Sequence, residues 1–325
     1  MFDDLIDQKL PAQILTTLID KGNVPHALLF SGIEGVGKKS AAEQLAMALN
    51  CEAKKKPCHT CRSCKKIIGA THPDIIVIKP SGKMIKISQI RELLHILSRK
   101  PYEAKKRVVI LQDSDTINNE AGNALLKMLE EPPDNTCFIL LTAHVKNMLA
   151  TIISRCQTIR FNPISRRKIA DHLMEKSDIT AEKADLIAHL ADGDLTKADH
   201  MAAPGSRGSW LELRNFIVNG ITDIIEKSTG PCLLYAFRLF QKKDKINAVF
   251  HIMKTCFRDA IILKYDPARI IFRDLEEPLA RLSRMHTIET MLEKIDAVTE
   301  AERAVQSNAN LRLTLEVLMI RMSRV

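Results

Sequence analysis

Apolar residues fall along this chain in two rhythms. In the first half, short apolar runs recur between polar or turn-forming residues: Ala27 to Phe30, Asp74 to Ile78, Arg107 to Leu111, Cys137 to Thr142 and Gln157 to Phe161. Runs of this length without alternation predict strands buried on both faces. Between them, apolar positions fall three and four apart: Ala42, Leu45, Ala46 and Leu49; Ile87, Ile90, Leu93, Leu94 and Leu97; Ala121, Ala124, Leu125, Met128 and Leu129. That spacing draws the stripe of an amphipathic helix. Strands alternating with helices predict an α/β class, an open parallel sheet of five strands with helices on both faces. A leading helix is expected from Ile6, Leu10, Ile14, Leu15 and Leu18, Ser88 is the expected N-cap of the helix at Ile87, and Pro132-Pro133 stops the third stripe.

After Pro163 the strand pattern ceases. Ile169, Leu173, Leu186, Ile187 and Leu190 predict a short helical bundle ending near Gly193, and Pro204 to Ser209 reads as a linker. The remainder is helical by pattern and closes with Leu311, Leu313, Leu315, Val317, Leu318 and Ile320. The expected division is therefore 1–162, 163–204 and 205–325.

The first strand carries chemistry at its end. It runs into Gly32, Gly35 and Gly37, followed by Lys38, Lys39, Ser40 and the first helical stripe. Strand, glycine loop and helix N-terminus make a cradle for phosphate, with Lys38 as a point charge on the outer phosphates. The G-x-x-x-x-G-K spacing is met, but Lys39 stands where a Ser or Thr hydroxyl would hold Mg²⁺. After the third strand, the position for a metal-binding Asp reads Gln112, followed by Asp113. Nucleotide binding through the loop is retained as an expectation; hydrolysis of ATP is not.

Cys51, Cys58, Cys61 and Cys64 follow, spaced C-x6-C-x2-C-x2-C. Four thiolates so close predict one structural, tetrahedral Zn²⁺ in a module over 51–64, with His59 replacing one thiolate as the alternative. Cys137, Cys156, Cys232 and Cys256 sit singly in apolar patterns and read as small core residues.

Composition narrows the picture further. Aromatics make up 4% of the 325 residues against 46% apolar, a balance that suits helical packing of Leu, Ile, Ala and Met. No apolar run approaches the roughly 18 residues of a membrane span, and the start at Met1 to Asp7 is acidic, so the expectation is a soluble, unexported, cytoplasmic protein. A formal charge of +9 permits an acidic partner. Basic clusters at Lys54 to Lys56, Lys65-Lys66, Lys105 to Arg107 and Arg166 to Lys168 each read singly as solvated surface, leaving direct contact with DNA open.

Several of these segments together resemble one family. Pro25-His26-Ala27, the glycine loop, the four cysteines, His72-Pro73-Asp74, Asn123 to Lys127 with Leu129 to Pro133, and Ser154-Arg155-Cys156-Gln157 are similar to the AAA+ subunits of the bacterial DNA polymerase III clamp loader. The resemblance implies a P-loop domain with a zinc insertion, a helical lid and an all-α collar that builds a ring. Lys39, Gln112 and Thr196, which follows Gly193 where an active subunit has a sensor Arg, depart from the gamma and tau motors and favour the delta-prime type. Asn308 to Leu313 resembles the delta-prime C-terminus, with Leu311 in place of the usual Pro. The resemblance further implies that Arg155 acts in trans as an arginine finger on a neighbour's ATP. Its implied partners are the gamma or tau and delta subunits and, through the complex, the sliding clamp and primer-template DNA. Two rival readings are a gamma-like motor using Ser40 or Asp113 for the metal, and a zinc-dependent nucleic-acid-binding protein.

Overall fold

The computed structural model describes residues 2, 5–177, 179–203, 205, 207–224 and 229–323. The chain divides into two compact units, Met1–Ile169 with Asp192–Lys197, and Ala170–Ala191 with Ala198–Val325.

The first unit holds all the strands found among the described residues: β1 (Ala27–Ser31), β2 (Ile75–Ile78), β3 (Arg107–Leu111), β4 (Thr136–Thr142) and β5 (Gln157–Arg160). They form one sheet in the order β2-β3-β4-β1-β5, every pair parallel. Such a sheet needs a crossover between successive strands, and the helices supply it. They are α2 (Lys38–Asn50), α3 (Arg62–Ile68), α4 (Ile87–Leu97), α5 (Asn119–Glu130) and α6 (Ala150–Ile153), while α1 (Lys9–Asp20) precedes β1. Because side chains alternate along a strand, Ala27, Leu29, Val109, Leu111, Phe138 and Leu140 turn to one face. There they pack with Ile90, Leu93 and Leu97 of α4, Ala121, Leu125, Met128 and Leu129 of α5, and Ile152 of α6. Their alternates Leu28, Phe30, Val108, Ile110, Ile139 and Leu141 are buried as well. The central strands β3, β4 and β1 are buried throughout because both faces are covered, each fully buried Leu, Ile or Phe contributing about 1.5–3 kcal/mol.

Four local expectations are corrected. Helix α1 starts at Lys9 and buries Pro11 and Leu15, so Ile6 precedes it and Leu10 faces solvent. The cap of α4 is Lys86 and not Ser88: the Gln89 side-chain Oε1 accepts the Lys86 backbone N–H at 3.1 Å, placing Ser88 inside the first turn. Strand β5 pairs only with β1, and as an edge it exposes three of its four residues. Arg107 does not belong to a basic surface, being only 4% exposed.

The second unit is helical. Its elements are α7 (Arg166–Lys176), α8 (Ala181–Ala191), α9 (Leu195–Ala202), α10 (Arg207–Ile224), α11 (Thr229–Phe240), α12 (Ile246–Ile262), α13 (Glu276–Met285), α14 (Ile288–Gln306) and α15 (Leu311–Ser323), the first and third beginning in the other unit. One core runs through it, including Leu190, Ile217, Leu239, Phe250, Phe257, Leu282 and Leu318. The predicted linker falls partly outside the described residues, at 204 and 206, and α10 already begins at Arg207. In α15 the near-alternating Leu pattern cannot all face one side of a helix: Leu315 and Leu318 are buried, whereas Leu313 and Val317 are exposed. No helix among the described residues is long and apolar enough to cross a membrane.

Candidate functional site

At the carboxyl end of β1 the chain enters the glycine loop, anchored where Gly32 N–H donates to Thr142 O at 3.2 Å. Gly37 caps α2 at φ +93°, a left-handed angle that costs other residues more, and from it the helix N-terminus opens toward the loop. Gly35 (φ +68°) is required for a second reason. Asp194 presses on it so closely that an added Cβ would lie 1.6 Å from Asp194 Oδ1. The clasp is reciprocal, because Leu195 N–H donates to Gly35 O at 3.2 Å and Asp194 Oδ1 accepts Lys197 N–H at 2.8 Å.

Gly35, Gly37, Lys38, Lys39, Ser40, Gln112, Asp113 and Thr196 line one cavity of ≈ 400 Å³. The expected nucleotide residues are thus brought together, Gly32 through its carbonyl. Lys38 Nζ donates to Gly32 O at 2.5 Å and Ile33 O at 2.6 Å, so its ammonium is folded onto the loop's own carbonyls. Burial lowers its pKa from the ordinary lysine value against the opposing pull of Glu34, Asp113, Asp115 and Asp194. Lys39 turns aside to pair with Glu43 one turn along, at 3.7 Å. Its ammonium is committed to that flank; what the loop lacks at this position is an oxygen ligand. Ser40 Oγ accepts Gln44 Nε2 at 3.5 Å. The buried Gln112 Nε2 has no hydrogen-bond partner, and Asp113 takes a left-handed φ of 49°. Asp115 Oδ1, which the sequence reading passed over, accepts the Thr142 hydroxyl at 2.7 Å across the ends of β3 and β4.

Arg155 lies outside this cavity, on the turn between α6 and β5. Its Nη1 donates to Thr151 O at 3.0 Å, and its Nη2 pairs with Glu130 Oε1 at 2.6 Å. Glu130, at the end of α5, was not singled out in the sequence. Its only signal was membership in the Leu129 to Pro133 segment.

The four clustered cysteines form a second site. Cys51 caps the C-terminus of α2 and Cys61 the N-terminus of α3, and the four Sγ atoms lie within 4.8 Å of one another. Tetrahedral Zn²⁺ with Zn–S bonds of about 2.3 Å fits a cage of this size. Cys61 N–H donates to Cys58 Sγ at 3.3 Å and Cys64 N–H to Cys61 Sγ at 3.5 Å, stabilising negative sulfur. Hydrogen bonds from Thr60 and Cys61 bring the Cys58 thiol down to about 5, while burial pushes Cys64 up to about 12. The cluster can hold a metal ion. His59 is exposed and outside it.

A buried carboxylate organises the neighbouring loop. Asp74, 2% exposed, accepts the backbone N–H groups of Tyr102, Glu103 and Ala104, each at 2.8 Å, with Arg107 at 3.6 Å. Burial works against its charge, but the N–H groups and Arg107 together hold its pKa below the usual value. His72 Nδ1 accepts Asp74 N–H at 3.2 Å, and burial lowers the imidazole pKa.

Residues 7–165 match the family profile described as DNA polymerase III, delta subunit, and residues 210–324 match DNA polymerase III, delta subunit, C terminal. The DNA polymerase III subunit delta' of Bacillus subtilis is 30% identical over 319 residues, covering 95% of this chain and 94% of its own. Subunit tau of the same organism is 26% identical over 343 residues; the match spans 98% of this chain but 61% of tau. A solved gamma subunit-related protein from Thermotoga maritima aligns over 95% of this chain and 98% of its own, at 20% identity and a TM-score of 0.49.

Proposed function

The chain belongs to the delta-prime family of DNA polymerase III subunits, and we propose that it is an ATPase-silent member of the clamp-loader ring. On this reading it lends Arg155 to the ATP of a neighbouring gamma- or tau-type subunit, while residues 163–204 form a lid and 205–325 a collar that joins the ring. Together with the delta subunit, the ring opens the sliding clamp and places it on primer-template DNA.

The observation that carries the silent assignment is a formed cradle without metal chemistry. Gly35 and Gly37 shape the loop, yet the oxygen ligand is missing at Lys39 and Gln112 offers a neutral amide in place of a carboxylate. Without Mg²⁺ to bridge and neutralise the outer phosphates, the charge developing in phosphoryl transfer has no counterion beyond Lys38. Lys38 would also have to release Gly32 O and Ile33 O before reaching a phosphate.

The test is ATP hydrolysis by the purified chain, alone and with a gamma-type partner. No turnover alone and stimulated turnover in the assembly are expected. Steady hydrolysis by the isolated chain that disappears in Lys38→Ala would instead establish a motor.

For the cysteine cluster we propose structural Zn²⁺ on Cys51, Cys58, Cys61 and Cys64. Metal analysis of reduced protein should find about one equivalent per chain, and Cys61→Ser should lose most of it. Because the main sheet lies outside the module, the far-UV spectrum should survive that substitution, whereas amide protection in α3 should fall. A metal-free, fully protected parent would count against zinc.

A further inference from the structure

The zinc-type module carries charge that its architecture does not use. Between Cys51 and Ile68 the only acidic residue is Glu52, whereas Lys54, Lys55, Arg62 and Lys65 are all exposed. Lys105 joins them in space: its Nζ donates to Cys51 O at 3.4 Å. Among the described residues none of these five cations forms an ion pair within 4 Å, although Arg62 lies near enough to Glu103 to help lower its pKa; Lys66, beside them, is taken by Glu103 at 2.6 Å. Like charges crowded without counterions repel, and the cost is relieved by an anionic ligand. A tetrathiolate metal site would be negative, but its charge is smaller than the five cations together.

An aromatic ring stands at the same place. Tyr102 is 85% exposed, yet its backbone is fixed, since Asp74 takes the N–H groups of 102, 103 and 104. Next to it, Glu103 holds Lys66 of the module at 2.6 and 2.7 Å, which ties the ring's loop to the basic face. A large apolar ring held in water beside unpaired cations matches one kind of ligand well. Nucleic acid with unpaired bases offers regularly spaced phosphates for the cations and open base faces for stacking. A duplex offers phosphates but keeps its base faces stacked inside.

We propose that this face, Lys54, Lys55, Arg62, Lys65 and Lys105 with Tyr102, binds single-stranded nucleic acid, the cations taking phosphates and Tyr102 stacking on a base. The surface belongs to this chain alone and does not depend on Arg155 or on ring assembly.

The experiment is fluorescence anisotropy of a labelled oligothymidylate of about 20 nucleotides with the full chain, between about 50 and 200 mM salt. Each phosphate contact to a single strand adds about −0.7 to the slope of log affinity against log salt. Replacing Lys54, Lys55, Arg62 and Lys65 together by Gln should therefore flatten the slope by about 2.8. Tyr102→Ala should weaken binding by about 5- to 150-fold at every salt concentration with the slope unchanged, and Tyr102→Phe should restore it. A control replacing Arg166, Arg167 and Lys168 by Gln should do neither. All the substituted residues are exposed, and circular dichroism with metal content verifies that each variant is folded. No binding by the parent chain, a slope carried by the control cluster, duplex bound as tightly with Tyr102→Ala silent, or a polyglutamate peptide bound as tightly as the oligonucleotide would each overturn the proposal, the last in favour of an acidic protein partner.

Discussion

Arg155→Ala is expected to lower clamp- and DNA-stimulated ATP hydrolysis by the complete loader while leaving this subunit folded, metal-loaded and able to join the ring. The two halves of that result come from different energies. In the free chain the Arg155–Glu130 pair is partly exposed, with side-chain exposures of 36% and 50%, so its loss costs about 0–1 kcal/mol of stability. Against a γ-phosphate in transfer, a guanidinium in a water-poor interface meets charge that grows in the transition state. Such a finger contributes a factor of about 10³ or more to turnover at the site it completes, diluted in the whole loader by the sites it does not touch. Arg155→Lys should recover only part of the rate, since an ammonium keeps the charge and loses the planar fork. The side chain must also let go of Glu130 Oε1 and Thr151 O to reach outward. Steady-state hydrolysis and clamp loading by reconstituted complexes check the result; parental rates in a fully assembled Arg155→Ala complex would make Arg155 an ordinary surface residue.

Asp74→Ala should destabilise the first unit by about 3–5 kcal/mol, the usual cost of removing one partner of a buried pair. It would leave three backbone N–H groups without an acceptor and strip Arg107, itself 4% exposed, of its nearby carboxylate. Arg107 would keep its bonds to Ile96 O and Arg99 O, at 3.3 and 2.9 Å, which limits the collapse to the edge of the sheet. The sign of the pH dependence follows from the depressed pKa of Asp74. Above the unfolded value of about 3.9 its stabilisation is fully present, and it is lost as pH falls through the lower folded value, where the unfolded chain already binds the proton. Asp74→Ala should therefore flatten the acid limb of the stability curve as well as lower it. Trp210, the single tryptophan, lies in the other unit, so the readout is hydrogen exchange at β2 and β3 amides and not fluorescence. Unchanged protection at those amides would show that Asp74 does not hold this edge.

What the sequence determined by itself was everything set by neighbours along the chain. Apolar runs and stripes located all five strands and the helices α1, α2, α4 and α5, whereas the short α3 and α6 carry too few periodic positions to show. Glycine spacing located the loop around Lys38, and cysteine spacing located the cluster that the structure closes to within 4.8 Å. These follow from backbone angles and side-chain periodicity, which a few adjacent residues decide. Partners brought from a distance were settled only by the tertiary structure. The sequence could not say that Asp194 would press on Gly35, that Glu130 would hold Arg155, or that Arg107, one of three consecutive cations, would be buried beside Asp74. Nor could it say that Lys39 would pair along its own helix while Lys38 turned back onto the loop. An ionised side chain reaches whichever opposite charge or carbonyl the fold places within a few ångströms, and that depends on strand order and crossover, quantities that no local window of residues contains.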